Sequence, residues 1–202
     1  MPCYRDERSC VKHLRELMKN KYPQNAISTH RNIEKKFSAK WRQFFDELPP
    51  TTHEIDLVRG FKDKEGRKII EGIEVKYFQR AKEGRSYIER FGQALGLLLW
   101  GFNLVTVYHV FDQEFDEKER KRFVRTSVEL SRHLDLVDYR AFLTKKEREV
   151  EMYQLDNSGS ETKSSPFIHP GRKKNPFLQT NRDSRLEKRR EFIETEILGF
   201  VP

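Results

Sequence analysis

The sequence has no run of 18 or more apolar residues, so it holds no stretch able to cross a bilayer as a helix. Its first residues, MPCYRDERSC, lack the apolar stretch of a secretory signal, and a cytoplasmic, intracellular location is expected. Only two cysteines occur among 202 residues, Cys3 and Cys10. On a common helix, seven positions apart, their α-carbons would stand about 10 Å apart, beyond disulfide reach, so free thiols are expected. The six histidines and two cysteines show no zinc spacing, because Cys10-x-x-His13 has no second pair. No G-x-x-x-x-G-K-[ST] loop is present, which leaves nucleotide-driven work without support. The length suits one domain with a real core rather than two.

Charge is plentiful. The formal net charge is +8, and the excess is concentrated in two places. Residues 1–150 carry 31 basic and 24 acidic side chains, and residues 163–190 carry nine and two. A polyanionic partner is the natural inference, and nucleic acid is the commonest one.

Apolar periodicity predicts a helix over 5–21, with Cys10, Leu14, Leu17 and Met18 on one face, closed by Pro23. Asn25 to Thr29 reads as a short strand or a loop. A second helix is predicted over 31–48, from Ile33, Phe37, Trp41, Phe44 and Leu48, and is stopped by Pro49 and Pro50. His53–Phe61 and Arg67–Phe78 are β-rich runs joined by Lys64-Glu65-Gly66. Gly66 suits the left-handed position of a three-residue hairpin loop. Asp63 and Arg67 would then face each other as an opposite-charge pair. Further on, 86–101 reads as a buried helix and 104–111 as an apolar strand. Asp116 caps a helix running to Leu134, and 136–143 reads as a last strand. Past Leu155 the Ser-, Gly-, Pro- and Lys-rich composition predicts a mobile arm. Ser184 and Glu187 form a capping box that opens a final helix with Leu186, Ile193 and Ile197 as its stripe.

The hairpin carries the chemistry. With that loop, opposed residues sum to 130 in numbering, which sets Asp56 directly opposite Glu74 with β-carbons about 5 Å apart. Glu74 and Lys76 are two apart on one strand and share a face, while Ile73, Val75 and Tyr77 point the other way into a core. Two carboxylates that close repel, and a hard divalent cation such as Mg²⁺ resolves the repulsion with oxygen ligands. A metal-acidified water can attack a phosphodiester, with Lys76 orienting it or stabilising phosphate charge. By itself the pattern is also that of a half-exposed strand.

An acidic residue on a first strand, a short turn and an IEVK strand at 73–76, then a helix bearing Gln93 and another strand, resembles the PD-(D/E)XK nuclease superfamily. The resemblance covers roughly residues 5–111. It departs from the pattern at Ile55, which stands where many members have Pro, and after Gln93, where the Tyr of some exonuclease-like members is missing. It implies an α/β (α+β) fold with a restriction-endonuclease-like core. That core is a central mixed sheet flanked by helices in the order αβββαβ, with an extra N-terminal helix and a C-terminal helical extension. The family pattern implies that Asp56, Glu74 and the Val75 carbonyl hold Mg²⁺ or Mn²⁺. Lys76 would act on the attacking water, and Gln93 would hydrogen-bond the phosphate or that water. The extra glutamate that members often supply from the N-terminal helix is assigned to Glu7, with Glu34 as the reserve.

The expected organisation is a nuclease-like domain at 1–155, a basic linker or arm at 156–183 and an amphipathic helix at 184–202. Arg80, Lys82, Arg85 and Arg90, interleaved with aromatics, are expected to grip a nucleic-acid backbone. The basic run Arg172–Lys174 reads as a soluble tail rather than a DNA-binding arm. The expected function is a Mg²⁺-dependent deoxyribonuclease acting on DNA, with no membrane partner and homodimerisation left open. The alternatives are a non-catalytic nucleic-acid-binding protein on a nuclease-like fold and an interaction module acting through the C-terminal helix.

Overall fold

The structure is a computed structural model that describes residues 3–31, 54–79, 87–145, 149–155, 161–164, 175–180 and 184–199. The helix expected over 31–48, His53 and the candidates Glu34, Arg80, Lys82, Arg85 and Arg172–Lys174 lie wholly or almost wholly outside the described residues.

The chain opens with α1 (Glu7–Lys21). Asp6 caps it by accepting the Ser9 N–H, and Ser9 in turn accepts the Asp6 N–H, so two orphan donors are satisfied reciprocally. The strands β1 (Ala26–Arg31), β2 (Ile55–Lys62) and β3 (Lys68–Phe78) follow, then α2 (Tyr87–Leu98) and β4 (Leu104–Phe111). After these come α3 (Glu117–Leu134), β5 (Asp138–Thr144), β6 (Val150–Leu155) and β7 (Glu161–Ser164). The chain ends in α4 (Phe177–Thr180) and α5 (Ser184–Phe192), whose last part continues as a π turn over Ile193–Ile197.

Among the described residues seven strands form one sheet in the order β1-β2-β3-β4-β5-β6-β7. The central β3, β4 and β5 are parallel, and the flanking pairs are antiparallel. Parallel neighbours need crossovers, and α2 and α3 supply them. The general class is therefore α/β, a mixed sheet flanked by helices. Neither β6 nor β7 was anticipated, so β5 is not the last strand and β7 falls inside the expected arm.

The hairpin turns as the sequence predicts. Gly66 has φ +77°, the left-handed region in which a side chain is strained. Asp63 Oδ1 accepts the N–H groups of Glu65 and Arg67, and its Oδ2 accepts Arg67 Nε–H at 2.7 Å. Pairing runs from Lys62↔Lys68 to Leu57↔Ile73 and holds the expected register throughout.

The two faces of the sheet bury different layers. Leu57, Ile73, Val75, Tyr77, Tyr108, Val110 and Phe142 pack under α1 against Cys10, Val11, Leu14 and Met18. On the other face Val58, Ile70, Val105 and Val107 pack under α2, together with Phe192, Ile193 and Ile197 from the C-terminal helix. That helix is docked rather than free. The π turn shifts its phase, so Phe192 joins the expected stripe of Leu186, Ile193 and Ile197 in the core. Gly101, at φ +84°, permits the contact, because a β-carbon there would stand 2.6 Å from the Leu186 carbonyl oxygen. Both cysteines are free thiols, as expected, although Cys3 lies before α1 rather than on it.

Candidate functional site

Pairing between β2 and β3 stops at Leu57↔Ile73 although β2 begins at Ile55. At the next position, where Asp56 and Glu74 stand, side chains take over from the ladder. Asp56 Oδ2 accepts the Val75 N–H at 2.8 Å, and Glu7 Oε2 accepts the Tyr77 N–H at 3.2 Å. Two carboxylates thus satisfy the backbone donors of β3 that β2 leaves unpaired, which buried N–H groups require. Glu7 belongs to the helix on the opposite face of the sheet and reaches the site along this opened edge.

The segment before α1 fixes that reach. Asp112 Oδ2 accepts the Cys3 N–H at 2.7 Å and the Tyr77 hydroxyl at 2.5 Å. Tyr77 Oη accepts the Tyr4 N–H at 3.2 Å, and Gln79 Nε2 donates to the carbonyls of Tyr4 and Arg5. Burial and its bond to Asp112 push the Tyr77 phenol far above its ordinary range, so it stays a donor. The first turn of α1 is consequently held over the end of β3, with Glu7 against Lys76 at 3.3 Å.

The third contributor is α2. Arg90 and Gln93 lie three positions apart, on one helical face. Arg90 Nη1 donates to Gln93 Oε1 at 2.7 Å and stands 3.4 Å from Glu74 Oε2 and 3.7 Å from Asp56 Oδ2. Its Nη2 is paired with Glu7 Oε1. Five of the sequence-derived residues (Glu7, Asp56, Glu74, Lys76 and Gln93) are therefore brought together, with the Val75 backbone between them. Arg90, expected among the nucleic-acid contacts, has instead turned its guanidinium into the acids. Sequence reasoning missed that role. The available signal was its place one turn before Gln93.

Glu74 is 1% exposed and Asp56 7%. Burial raises the Asp56 carboxyl to about 7, against the opposing pull of the Arg90 guanidinium and the Val75 N–H. Burial, and then the charge of Asp56, holds the Glu74 carboxyl well above the ordinary carboxylate range. Burial therefore disfavours the charged form of both acids, even with Arg90 beside them.

Their oxygen donors suit a hard divalent ion, which takes one or two protein carboxylates and keeps several waters. Among the described residues, no three His, Cys, Asp or Glu side chains are gathered into a metal's ligand set. The acids converge on the guanidinium rather than on one point between them. No described helix is long and apolar enough to cross a membrane. Comparison with protein families, with curated proteins and with solved structures finds no match for the chain.

Proposed function

We propose that this chain is a divalent-metal-dependent deoxyribonuclease on a restriction-endonuclease-like core, of the PD-(D/E)XK type. One observation carries the reading: Asp56 and Glu74, both buried, stand where β2 parts from β3, with Arg90 linking them to Glu7 and Gln93 and with Lys76 paired to Glu7. Among the described residues the elements from α1 to β4 run helix, three strands, helix, strand, which supports this reading.

In this reading Asp56 and Glu74 hold Mg²⁺ or Mn²⁺, with Glu7 beside them and the Val75 carbonyl as a further oxygen ligand. The bound ion supplies an acidified water and charge neutralisation at the phosphate. Lys76, on the same strand face as Glu74, orients the attacking water and offsets negative charge as it develops. Gln93 presents an amide to the phosphate. The basic excess of the chain holds the DNA backbone, with Arg80, Lys82 and Arg85 as the nearest cations in sequence.

A second reading, nucleic-acid binding without catalysis, draws on a specific observation as well. Arg90 already supplies the acids with a cation, and a purely structural cluster needs no metal. The deciding experiment is incubation with linear, circular, single-stranded and branched DNA, with Mg²⁺, with Mn²⁺ and with chelator. Metal-dependent cleavage of any of the four supports the nuclease. Binding without cleavage under every condition overturns it in favour of the second reading.

A further inference from the structure

The geometry points to Arg90 as an exchangeable counter-ion: it holds Glu7, Asp56 and Glu74 until a divalent ion binds, and yields its place when one does. The inference rests on the metal-dependent reading above and adds a residue to it.

The contacts of Arg90 are unequal. Its close partners are Glu7 and, at 2.7 Å, Gln93. Toward the two strand acids it stands at 3.4 and 3.7 Å, longer than the ~2.7–2.9 Å of a charge-assisted hydrogen bond. It forms no two-pronged fork with either. The oxygens it approaches, Asp56 Oδ2 and Glu74 Oε2, are those of the two acids that a hard cation would take. A guanidinium at these distances and a divalent ion on the same oxygens would be like charges a few ångströms apart in a poorly solvated place, and the two therefore exclude each other.

The side chain is placed to leave. It is 17% exposed, so it keeps partial contact with solvent, and its long flexible stem lets the head move without moving α2. Departure also frees Gln93 Oε1, which now accepts from Arg90, so that oxygen can accept from the attacking water as the metal arrives. Lys76 is not the exchanging group, since its ion pair is with Glu7 at 3.3 Å. The released guanidinium remains beside the metal-bound acids, where a planar cation suits a phosphate.

The test is Mn²⁺ binding, followed by electron paramagnetic resonance, to wild type, Arg90→Gln and the exposed control Arg125→Gln. Exchange predicts that Arg90→Gln binds Mn²⁺ at least about tenfold tighter than wild type, because a competing charge is gone, and that Arg125→Gln behaves as wild type. Equal or weaker binding by Arg90→Gln overturns it. If that variant does not fold, the wild type answers alone, with its arginine side chains labelled with ¹⁵N and Arg90 assigned through Arg90→Lys. Mg²⁺ should shift and broaden the Arg90 resonance, and a resonance unmoved at saturating Mg²⁺ overturns the exchange while leaving the metal site standing. Failure of all three proteins to bind Mn²⁺ overturns the metal-dependent reading itself, and the exchange with it.

Discussion

The carboxylate of Asp56 accepts the backbone N–H of Val75 at 2.8 Å, in the position where the next rung of the β2–β3 ladder would lie. An acid that serves as a backbone acceptor is fixed in place more firmly than one on an open strand face. Its charge is nonetheless costly, because burial outweighs both the hydrogen bond and Arg90.

A pH dependence follows from that cost. A carboxyl whose folded pKa, about 7, exceeds its unfolded value near 4 binds its proton more tightly in the native state. Its contribution to stability is full below pH 4 and is lost as pH rises through 7. Asp56→Asn keeps an acceptor for Val75 and removes the charge. In chelator at pH 7.5 it should melt higher than wild type, by about 5 °C for a shift of one to two kcal/mol, and the gap should close toward pH 4. Added Mg²⁺ or Mn²⁺ should raise the wild-type melting temperature by mass action and that of Asp56→Asn little. An identical metal response in the two proteins would take Asp56 out of the site.

Two glycines with positive φ separate conformational strain from packing. Gly66 has open space around a β-carbon, so Gly66→Ala should cost only the left-handed backbone, about 1 kcal/mol. Gly101 combines φ +84° with the Leu186 carbonyl oxygen at 2.6 Å from an added β-carbon. Gly101→Ala must shift α5 and should cost more than about 3 kcal/mol, reducing the burial of Phe192 and Ile193. Chemical denaturation of both variants compares them, and equal losses would contradict the docking of α5.

The hairpin was legible because three independent signals agree on it: a glycine at the turn, alternation along both strands, and a charge pair closing the loop. Glu7 was legible because α1 has a clear apolar face and its first-turn acid lies on it. The strands after β5 were not. Glu161–Ser164 is four residues without an apolar side chain, and such a strand is held by backbone pairing to β6, which leaves no trace in composition. Arg90 shows another limit. Helical periodicity placed it beside Gln93, but whether a long cation turns outward to phosphate or inward to acids depends on what the opposite layer delivers. Here that is Glu7, 83 positions away. Phe192 escaped because a π turn changes the helical period on which a stripe is counted.

The charge distribution makes its own prediction. With a net charge of +8, DNA affinity should fall steeply with salt, by about tenfold or more between 50 and 200 mM if three or more phosphates are neutralised. Fluorescence anisotropy across that range measures it. A flat dependence would assign the basic surface to another partner.

The most direct test of the proposed metal-dependent nuclease activity is the single-turnover cleavage rate on the best DNA substrate, for wild type and Glu74→Gln, with Mg²⁺ or Mn²⁺ present. Glutamine keeps the shape and the buried position of Glu74 and removes a charge proposed to hold the metal. The predicted result is a rate lower by about a thousandfold or more, equivalent to roughly 4 kcal/mol of barrier, with the thermal melt of the variant, taken in chelator, at or above that of wild type. Cleavage by Glu74→Gln at the wild-type rate would contradict the assignment of the reaction to this site.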